Sequence, residues 1–226
     1  MKQAVNSKNF RRLARELKYV RSGFALVIGV DEAGRGPLAG PVFAGAVAIL
    51  DFNANDAEFK YLLRQTNDSK KVSAEKREIL YQKIICHPKI AWGSGRIGPG
   101  TIDKINILEA SKAAMAAAVK NLQAGLPDKF KAAKTCCLVD GNFAIKISGA
   151  QRSIIGGDAK VFSISAASII AKVGRDRLMA RLDKKYPDYG FCRHKGYPTK
   201  EHLAALARCG LSPIHRRSFS PCAGLR

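Results

Sequence analysis

Apolar residues form several continuous runs, each about the length of one β-strand. Residues 24–30 and 42–50 are the first two, and the second run is rich in alanine. Runs of this length that end at chain breakers, such as the Gly-Pro-Gly at 98–100, are typical of strands buried on both faces. The pattern therefore predicts five strands, at residues 24–30, 42–50, 90–97, 134–140 and 152–155.

Apolar residues three or four positions apart indicate helices between and after these strands. From Thr101 onward, the spacing of Ile102, Ile105, Leu108 and Met115 supports one long helix. Further helices are predicted at residues 5–21, 73–86, 163–185 and 199–209. Three early strands, followed by strands alternating with helices, predict an α/β fold with a mixed central sheet flanked by helices and with a helical C-terminal segment.

The chain carries a large excess of positive charge. Its 226 residues include 39 Lys and Arg but only 18 Asp and Glu, which gives a net charge of +21. A field of this sign attracts polyanions, and the cations are spread along the chain rather than gathered on one amphipathic helix that would bind a membrane surface. We therefore expect a nucleic-acid partner. A general basicity of the source proteome is the alternative explanation.

The apolar runs and the cysteines both bear on the cellular compartment. No apolar run reaches the roughly 18–20 residues of a membrane span, because the longest candidate, 37–50, is interrupted by Gly40, Pro41 and Gly45. Six cysteines without a Cys-x-x-Cys pair fit a reducing compartment better than a disulfide framework. We expect a cytoplasmic protein with no membrane partner.

Carboxylates follow two of the predicted strands. Asp31 and Glu32 come directly after the first run, and Asp140 follows the run that ends at Val139. Carboxylates brought together beside buried strands repel one another and need a cation, and oxygen-only ligands favour Mg²⁺ or Mn²⁺. The alternative for Asp140 is a turn cap before Gly141. Since neighbours on a strand point to opposite faces, Asp31 and Glu32 are expected to share a site only if the strand ends or bulges there.

A series of motifs makes the chain resemble a known family. Residues 29–41 read Gly-Val-Asp-Glu-Ala-Gly-Arg-Gly-Pro-Leu-Ala-Gly-Pro. Further motifs follow in order: Asp68-Ser69-Lys70-Lys71, Val139-Asp140-Gly141-Asn142, Gly157-Asp158-Ala159-Lys160, the stretch 164–173, and His194-Lys195-Gly196-Tyr197-Pro198-Thr199. Over about residues 26–220 this series closely resembles bacterial ribonuclease HII. Ribonuclease HIII differs, because it usually has Ser-Gly-Lys-Gly where this chain has Ala-Gly-Arg-Gly at 33–36.

The resemblance implies a ribonuclease H-like fold and a metal-dependent endonuclease that hydrolyses RNA in RNA–DNA hybrids. It also implies cleavage on the 5′ side of ribonucleotides embedded in duplex DNA, leaving 3′-hydroxyl and 5′-phosphate ends. The expected cofactor is Mn²⁺ or Mg²⁺ in a two-metal mechanism, and the expected state is a monomer. Residues 1–24 would form a basic N-terminal helical extension, 25–185 the catalytic domain, and 186–226 a C-terminal segment that contacts the substrate and packs on the same domain.

The resemblance also assigns site residues. Its four carboxylates map onto this chain as catalytic and metal-binding residues: Asp31, Glu32, Asp140 and Asp158. Its glycine-arginine-glycine loop maps onto Gly34, Arg35 and Gly36, and its junction-sensing tyrosine maps onto Tyr197. Four further candidate substrate contacts are Ser69, Lys70, Lys71 and Lys195; for the three lysines, a solvated basic face is the alternative to a phosphate contact. One departure is Gly156, which stands where many relatives have Lys and concerns a phosphate contact rather than the carboxylate.

Composition alone does not distinguish Asp158 from Asp176 as the fourth carboxylate. Asp158 follows two glycines and precedes a predicted helix, so its backbone is free to turn toward the strand ends. Asp176 lies inside the helix with Lys172 four residues before it, a spacing that predicts an ion pair on the helix surface. The sequence therefore favours Asp158, in agreement with the resemblance.

Two other classes of protein compete with a nuclease. A non-catalytic basic nucleic-acid-binding protein would explain the charge, but it gives no purpose to the carboxylates after the strands. A glycosidase with a carboxylate pair is disfavoured by the positive charge and the glycine-arginine-glycine motif. Histidines 194, 202 and 215 are predicted to be structural or to contact phosphates, since two-metal chemistry needs no histidine.

Overall fold

A five-stranded mixed sheet forms the centre of the protein. The structure is a computed structural model that describes residues 12–52, 56–66 and 72–225. The strands lie in the order β3-β2-β1-β4-β5, in which β1 pairs antiparallel with β2 and parallel with β4. Their bounds are β1 Leu26–Ala33, β2 Val42–Ile49, β3 Ile90–Ile97, β4 Thr135–Asp140 and β5 Ala150–Ile154. The predicted mixed sheet is confirmed.

Helices cover both faces of the sheet. Their bounds are α1 Ala14–Arg21, α2 Ala57–Gln65, α3 Ala74–Cys86, α4 Pro99–Ala124, α5 Asp128–Lys131, α6 Gly157–Lys160, α7 Phe162–Lys185, α8 Phe191–His194 and α9 Lys200–Cys209. Helix α4 packs on one face with β1, β2 and β3, and α7 packs on the other face with β1 and β2. Every residue of β2 is buried, as expected for a strand between two helical layers.

The C-terminal segment packs on the central part of the chain. A third apolar cluster joins Leu38 and Met179 to Phe191 and Leu206 from α8 and α9. Helix α9 begins where the side chain of Thr199 accepts the backbone N–H of His202, a standard N-cap. Within the described residues, none of the helices is both long enough and apolar enough to cross a membrane.

The N-terminal helix is tied to α7. Only part of the predicted helix at 5–21 can be compared, because residues 5–11 lie outside the described residues, and α1 covers Ala14–Arg21. The carboxylate of Glu16 is fully buried and accepts the backbone N–H of Ser163 at 2.9 Å. This bond satisfies a backbone donor in the first turn of α7, which has no side-chain cap of its own.

Three local features differ from the prediction. Helix α2 was not predicted, and it begins at Asp56, whose carboxylate accepts the backbone N–H of Phe59. The long helix α4 contains a break at Asn106 (φ 65°), whose side chain accepts the N–H groups of Leu108 and Glu109 and so caps the second part of the helix. Strand β1 continues to Ala33, three residues beyond the predicted end.

Candidate active site

Asp31 and Asp140 lie side by side at one end of the sheet. The parallel pairing of β1 with β4 places Val30 opposite Val139, so the next residue on each strand is an aspartate. Helix α7 packs closely over this end, because a Cβ atom added at Gly29 or Gly45 would overlap the α7 backbone. The sequence expectation that the two carboxylates meet is confirmed by this register.

Glu32 corrects one sequence expectation. Strand β1 neither ends nor bulges at Asp31 and Glu32, since the β1–β2 register continues regularly through both to Ala33. Alternation along the strand therefore places Glu32 on the opposite face from Asp31. Because β4 ends at Asp140, Glu32 projects past the end of its neighbour, where burial and then the charge of Asp140 raise the pKa of its carboxyl. The two residues share a site because the neighbouring strand stops.

The carboxylates repel one another strongly. Asp31 is only 6% exposed, and burial raises the pKa of its carboxyl well above the usual range. The charges of Glu32, Asp140 and Asp158 raise the pKa of Asp31 further. Burial also raises the pKa of Glu32, and the nearby guanidinium of Arg35 opposes this, with Nη1 at 3.5 Å from Oε1. A cation at this position would relieve the repulsion.

Backbone N–H groups donate to three of the aspartates, and the Asp31 carboxylate accepts the N–H of Glu32 at 2.7 Å. The Asp140 carboxylate accepts the N–H of Gly157 at 2.6 Å, and the Asp158 carboxylate accepts the N–H of Ala159 at 2.9 Å. Gly156 has a left-handed backbone (φ 63°) at the turn between β5 and α6. The left-handed turn therefore brings Asp158 close enough to Asp31 for its charge to act there.

Asp176 lies in a different environment. Its carboxylate pairs with Lys172 at 2.7 Å and with Arg77 at 3.9 Å, on the surface of α7. The predicted ion pair between Lys172 and Asp176 is confirmed. Asp158, and not Asp176, contributes to the electrostatic environment of Asp31.

Two buried arginines support the glycine-rich loop, and sequence reasoning missed both. Arg216 donates to the carbonyl oxygens of Gly34 at 2.6 Å, Arg35 at 2.8 Å and Gly40 at 3.0 Å. Burial and the neighbouring Arg175 lower the pKa of Arg216 to about 9. Buried guanidinium groups that bind consecutive carbonyls hold a loop in one conformation.

Arg175 holds the next part of the same loop. Its side chain is buried and donates to the carbonyl oxygens of Pro41 at 3.1 Å and Ala39 at 3.0 Å. No periodicity reveals this role, because an arginine inside a helix is ordinarily exposed. The one sequence feature that could have indicated this role is that Arg175 belongs to α7, the helix that also covers the carboxylates.

Tyr197 lies above the glycine-rich loop. The residue is 42% exposed, and a Cβ atom added at Gly36 would lie 3.7 Å from atom Cε1 of its ring. The guanidinium of Arg175 lies 5.9 Å from the ring centroid, at cation–π distance. Tyr197 and the loop therefore form one continuous surface beside the carboxylates.

A cavity of about 260 Å³ joins these groups. It is lined by Asp31, Glu32, residues 33–36, Tyr197, Ser168 and Lys172. The last two were not predicted, although their spacing of four residues on α7 places them on one helix face. Ser168 is buried, and its hydroxyl has no hydrogen-bond partner within the described part of the chain.

The predicted contacts at Lys195 and at residues 69–71 differ in whether the structure describes them. Lys195 lies next to Tyr197 in sequence but directs its ammonium to the carbonyl of Cys192 at 2.6 Å, and it does not line the cavity. Ser69, Lys70 and Lys71 lie outside the described residues. The structure therefore brings Asp31, Glu32, the glycine-rich loop and Tyr197 around one cavity, whereas Asp140 and Asp158 lie near Asp31 without lining it.

The donor set suits a hard divalent ion. The cavity and its rim offer carboxylate oxygens and no histidine or cysteine ligand, a set that favours Mg²⁺ or Mn²⁺. Across residues 12–52, 56–66 and 72–225, no three His, Cys, Asp or Glu side chains converge closely enough to hold an ion as they stand. Holding an ion would therefore require the carboxylate side chains to move toward one another.

The fold matches solved ribonuclease H structures. Ribonuclease H2 from Pyrococcus horikoshii OT3 superposes with a TM-score of 0.64 at 26% identity, covering 88% of this chain and 96% of that chain. RNase HII from Archaeoglobus fulgidus, solved with PCNA, gives 0.68 at 25% identity, covering 86% and 95%. Bst-RNase HIII in complex with Mn²⁺, at 15% identity, shares the fold with a TM-score of 0.66, covering 89% and 69%. The class is therefore a nuclease with a ribonuclease H-like α/β fold.

Sequence comparison narrows the class. Residues 28–222 match the family described as ribonuclease HII. Ribonuclease HII of Desulfitobacterium hafniense strain Y51 is 47% identical over 218 residues, covering 96% of this chain and 77% of that protein. Ribonuclease HII of Polynucleobacter asymbioticus is 48% identical over 198 residues, covering 86% and 93%. This chain belongs to the ribonuclease HII family, and its enzymatic class is that of an endoribonuclease that hydrolyses phosphodiester bonds.

Proposed function

We propose that this enzyme uses divalent metal ions to cut RNA in RNA–DNA hybrids and to cut duplex DNA on the 5′ side of embedded ribonucleotides, leaving 3′-hydroxyl and 5′-phosphate ends. The observation that carries the proposal is the shared cavity, in which Asp31 and Glu32 lie beside the glycine-rich loop and Tyr197. The carboxylates supply a place for chemistry at a phosphate. The loop and the ring supply a surface beside it that can examine a sugar.

The carboxylates are proposed to hold the metal ions. Burial and the charges of Glu32, Asp140 and Asp158 raise the pKa of Asp31, and a bound divalent cation would offset that repulsion. Two bound divalent ions would stabilise both the attacking and the leaving oxygen of an in-line displacement. The protein's own part is to fix the carboxylates of Asp140 and Asp158 through the backbone N–H groups of Gly157 and Ala159.

The loop and Tyr197 are proposed to recognise the ribonucleotide. Detecting RNA requires contact with a 2′-hydroxyl, which both donates and accepts hydrogen bonds. Gly34, Arg35 and Gly36 present backbone close to the carboxylates, and the absence of a side chain at Gly36 leaves room beneath the Tyr197 ring. The exposed ring offers a flat surface for the sugar or base of the next deoxynucleotide.

The remaining assignments complete the proposal. The net charge of +21 supports an RNA–DNA hybrid or ribonucleotide-containing DNA as the partner. Ser69, Lys70, Lys71 and Lys195 are proposed phosphate contacts. We place the enzyme in the cytoplasm as a monomer whose C-terminal segment, 186–226, contributes to substrate binding through Tyr197.

The test is nicking of a DNA duplex that contains one ribonucleotide. We expect no cleavage in excess chelator and full recovery on addition of Mg²⁺ or Mn²⁺, with products that carry 3′-hydroxyl and 5′-phosphate ends. Undiminished cleavage in chelator would refute the metal mechanism. Binding without cleavage under every metal condition would favour the non-catalytic alternative.

Matched variants test the carboxylate assignment. Asp158→Asn should abolish single-turnover cleavage with little change in melting temperature. Asp176→Asn should leave cleavage nearly intact, because Asp176 is occupied by Lys172 and Arg77 on the surface of α7. The reverse result would show that the fourth carboxylate has been assigned to the wrong residue.

A further inference from the structure

Three histidines form a buried cluster beneath Tyr197. His194, His202 and His215 are each less than a tenth exposed. The rings of His194 and His202 stack with centroids 4.4 Å apart, and Nε2 of His202 lies 3.0 Å from Nε2 of His215. The proposed chemistry uses none of them. Their contacts nevertheless lead directly to the main chain of Tyr197.

The hydrogen bonds determine where each proton lies. Nδ1 of His215 accepts the backbone N–H of Ser212 at 2.9 Å, so the neutral ring carries its proton on Nε2. That proton is donated to Nε2 of His202, which must then be unprotonated. The proton of His202 is therefore on Nδ1, which donates to the carbonyl oxygen of Tyr197 at 2.9 Å. A single direction of donation runs from Ser212 through both rings to Tyr197.

The third histidine holds the turn that precedes Tyr197. Nδ1 of His194 accepts the N–H of Gly196 at 3.2 Å, and its Nε2 lies 2.8 Å from the carbonyl oxygen of Tyr189. Lys195 and Gly196 both have left-handed backbones, with φ of 51° and 82°. Consecutive left-handed residues form a turn that needs support from its surroundings. The stacked pair of His194 and His202 provides that support on both sides of the turn.

The turn is also fixed to the glycine-rich loop. The N–H of Leu38 donates to the carbonyl oxygen of Gly196 at 2.8 Å. A Cβ atom added at Gly196 would lie 2.5 Å from the carbonyl oxygen of Ala39, so the two segments are in direct contact. The height of the Tyr197 ring above Gly36 thus depends on how the main chain is held on its buried side.

We infer that His202 is a positioning residue: its Nδ1–H tautomer, imposed by His215, holds the carbonyl of Tyr197 and sets the position of the ring over Gly36. The inference rests on the proposed role of Tyr197 in substrate recognition. A proton added to His202 would bring two N–H groups face to face at the Nε2 pair. A proton added to His215 would bring its Nδ1–H face to face with the N–H of Ser212. Burial lowers the pKa of His202, and burial together with the charge of His202 lowers the pKa of His215 to about 4, so both rings are neutral in ordinary buffers.

The first test reads the tautomers directly. The full-length protein, labelled with ¹⁵N-histidine, is examined by NMR at about pH 7.5, where an unperturbed histidine is already mostly neutral. We expect the proton of His202 on Nδ1 and the protons of His194 and His215 on Nε2, with each signal assigned by its loss in a single variant. A proton on Nε2 of His202 would overturn the inference. This measurement reads the tautomers in the unmutated protein and does not depend on activity.

The second test uses two substitutions of the same residue. The side-chain amide of His202→Asn can donate from the position of Nδ1, whereas His202→Gln places its amide near Nε2 and loses the donor to Tyr197. Both variants lose part of the ring packing, so they are matched for structural damage. We expect kcat/KM on a duplex with one ribonucleotide to fall by about tenfold in the Gln variant, the scale of one lost buried hydrogen bond, and by much less in the Asn variant. Equal loss of activity in both variants would show a purely structural role.

The position of the ring provides a readout independent of the substrate. In ¹³C-tyrosine spectra, the Tyr197 signal is identified by its loss in Tyr197→Phe. This signal should shift in His202→Gln and stay in place in His202→Asn; an unchanged signal in both variants would overturn the inference. If Tyr197→Ala leaves the preference for single ribonucleotides unchanged, the proposed role of Tyr197 in recognition is wrong. The NMR signal of the Tyr197 ring would still decide whether His202 positions that ring.

Discussion

Gly34 and Gly36 are two residues apart in one motif, yet the structure predicts opposite consequences for adding a methyl group. Gly34 has φ of +95°, and a Cβ atom there would overlap Nε and Cδ of Arg175. Gly36 has no left-handed backbone, and its Cβ would lie 3.7 Å from the Tyr197 ring, an ordinary contact. Gly34→Ala therefore perturbs the fold, and Gly36→Ala perturbs only the surface of the cavity.

The magnitude for Gly34→Ala has two parts. A left-handed backbone costs a residue with a Cβ atom about 1–2 kcal/mol. Displacing Arg175 weakens its buried bonds to Pro41 and Ala39, and each bond to a charged donor is worth about 1.5–3 kcal/mol. If one of those bonds is lost, the total is about 3–5 kcal/mol. In a protein of this size, each 1 kcal/mol shifts the melting temperature by roughly 2–4 °C, which gives a fall of roughly 6–20 °C.

The assay is thermal unfolding of both variants, combined with cleavage of a duplex that contains one ribonucleotide. Gly36→Ala should melt within roughly 4 °C of the wild type, because its free-energy change is below about 1 kcal/mol. Its KM should rise because the methyl group occupies the surface proposed to receive the sugar. A Gly34→Ala protein that melts like the wild type would refute the assigned contact with Arg175. A Gly36→Ala protein with unchanged KM would remove Gly36 from the substrate surface.

Three further predictions follow from charge. Asp31→Asn should reduce cleavage by at least about a hundredfold, because it removes a proposed metal ligand. It should also raise the melting temperature of the metal-free protein at neutral pH, because it removes a buried charge that repels its neighbours, and a lower melting temperature would contradict this. The log–log salt dependence of substrate binding, measured in Ca²⁺, should have a slope of roughly −5 if six phosphates are contacted, and a slope near zero would make the charge irrelevant. The pKa of His215 is about 4 in the folded protein and about 6.5 in the unfolded chain, so about 3 kcal/mol of the stability present above pH 6.5 should be lost as the pH falls from 6.5 to 4. Urea unfolding of His215→Asn should show a smaller loss of stability over the same pH range.

The sequence predicted most of the sheet, because long apolar runs bounded by glycine and proline are strong local signals. Helix α2 escaped prediction because it is short and amphipathic, and its start depends on one capping side chain, Asp56. The break in α4 escaped prediction for a similar reason, because the apolar pattern continues across Asn106 although the helix does not. Local patterns do not report a cap inside a longer helix.

The candidate site was less evenly predictable. Asp31 and Asp140 could be named because each follows an apolar run, but their adjacency depends on the parallel pairing of β1 with β4, which joins distant parts of the chain. The sharing of the site by Glu32 depends on where β4 stops, and no local pattern in β1 contains that information. Arg175 and Arg216 were missed altogether, because their role arises from carbonyl groups that only the folded chain brings to them.

The contact between Arg216 and the loop has a consequence for protein synthesis. Gly34 and Arg35 leave the ribosome long before Arg216, which follows them by 182 and 181 residues. Until that late arginine arrives, the carbonyls it binds lack their partner and the glycine-rich loop lacks its buried support. A nascent chain can already contain every carboxylate and the whole central sheet while the glycine-rich loop still lacks Arg216. The glycine-rich loop therefore acquires its buried support only after Arg216 has been translated.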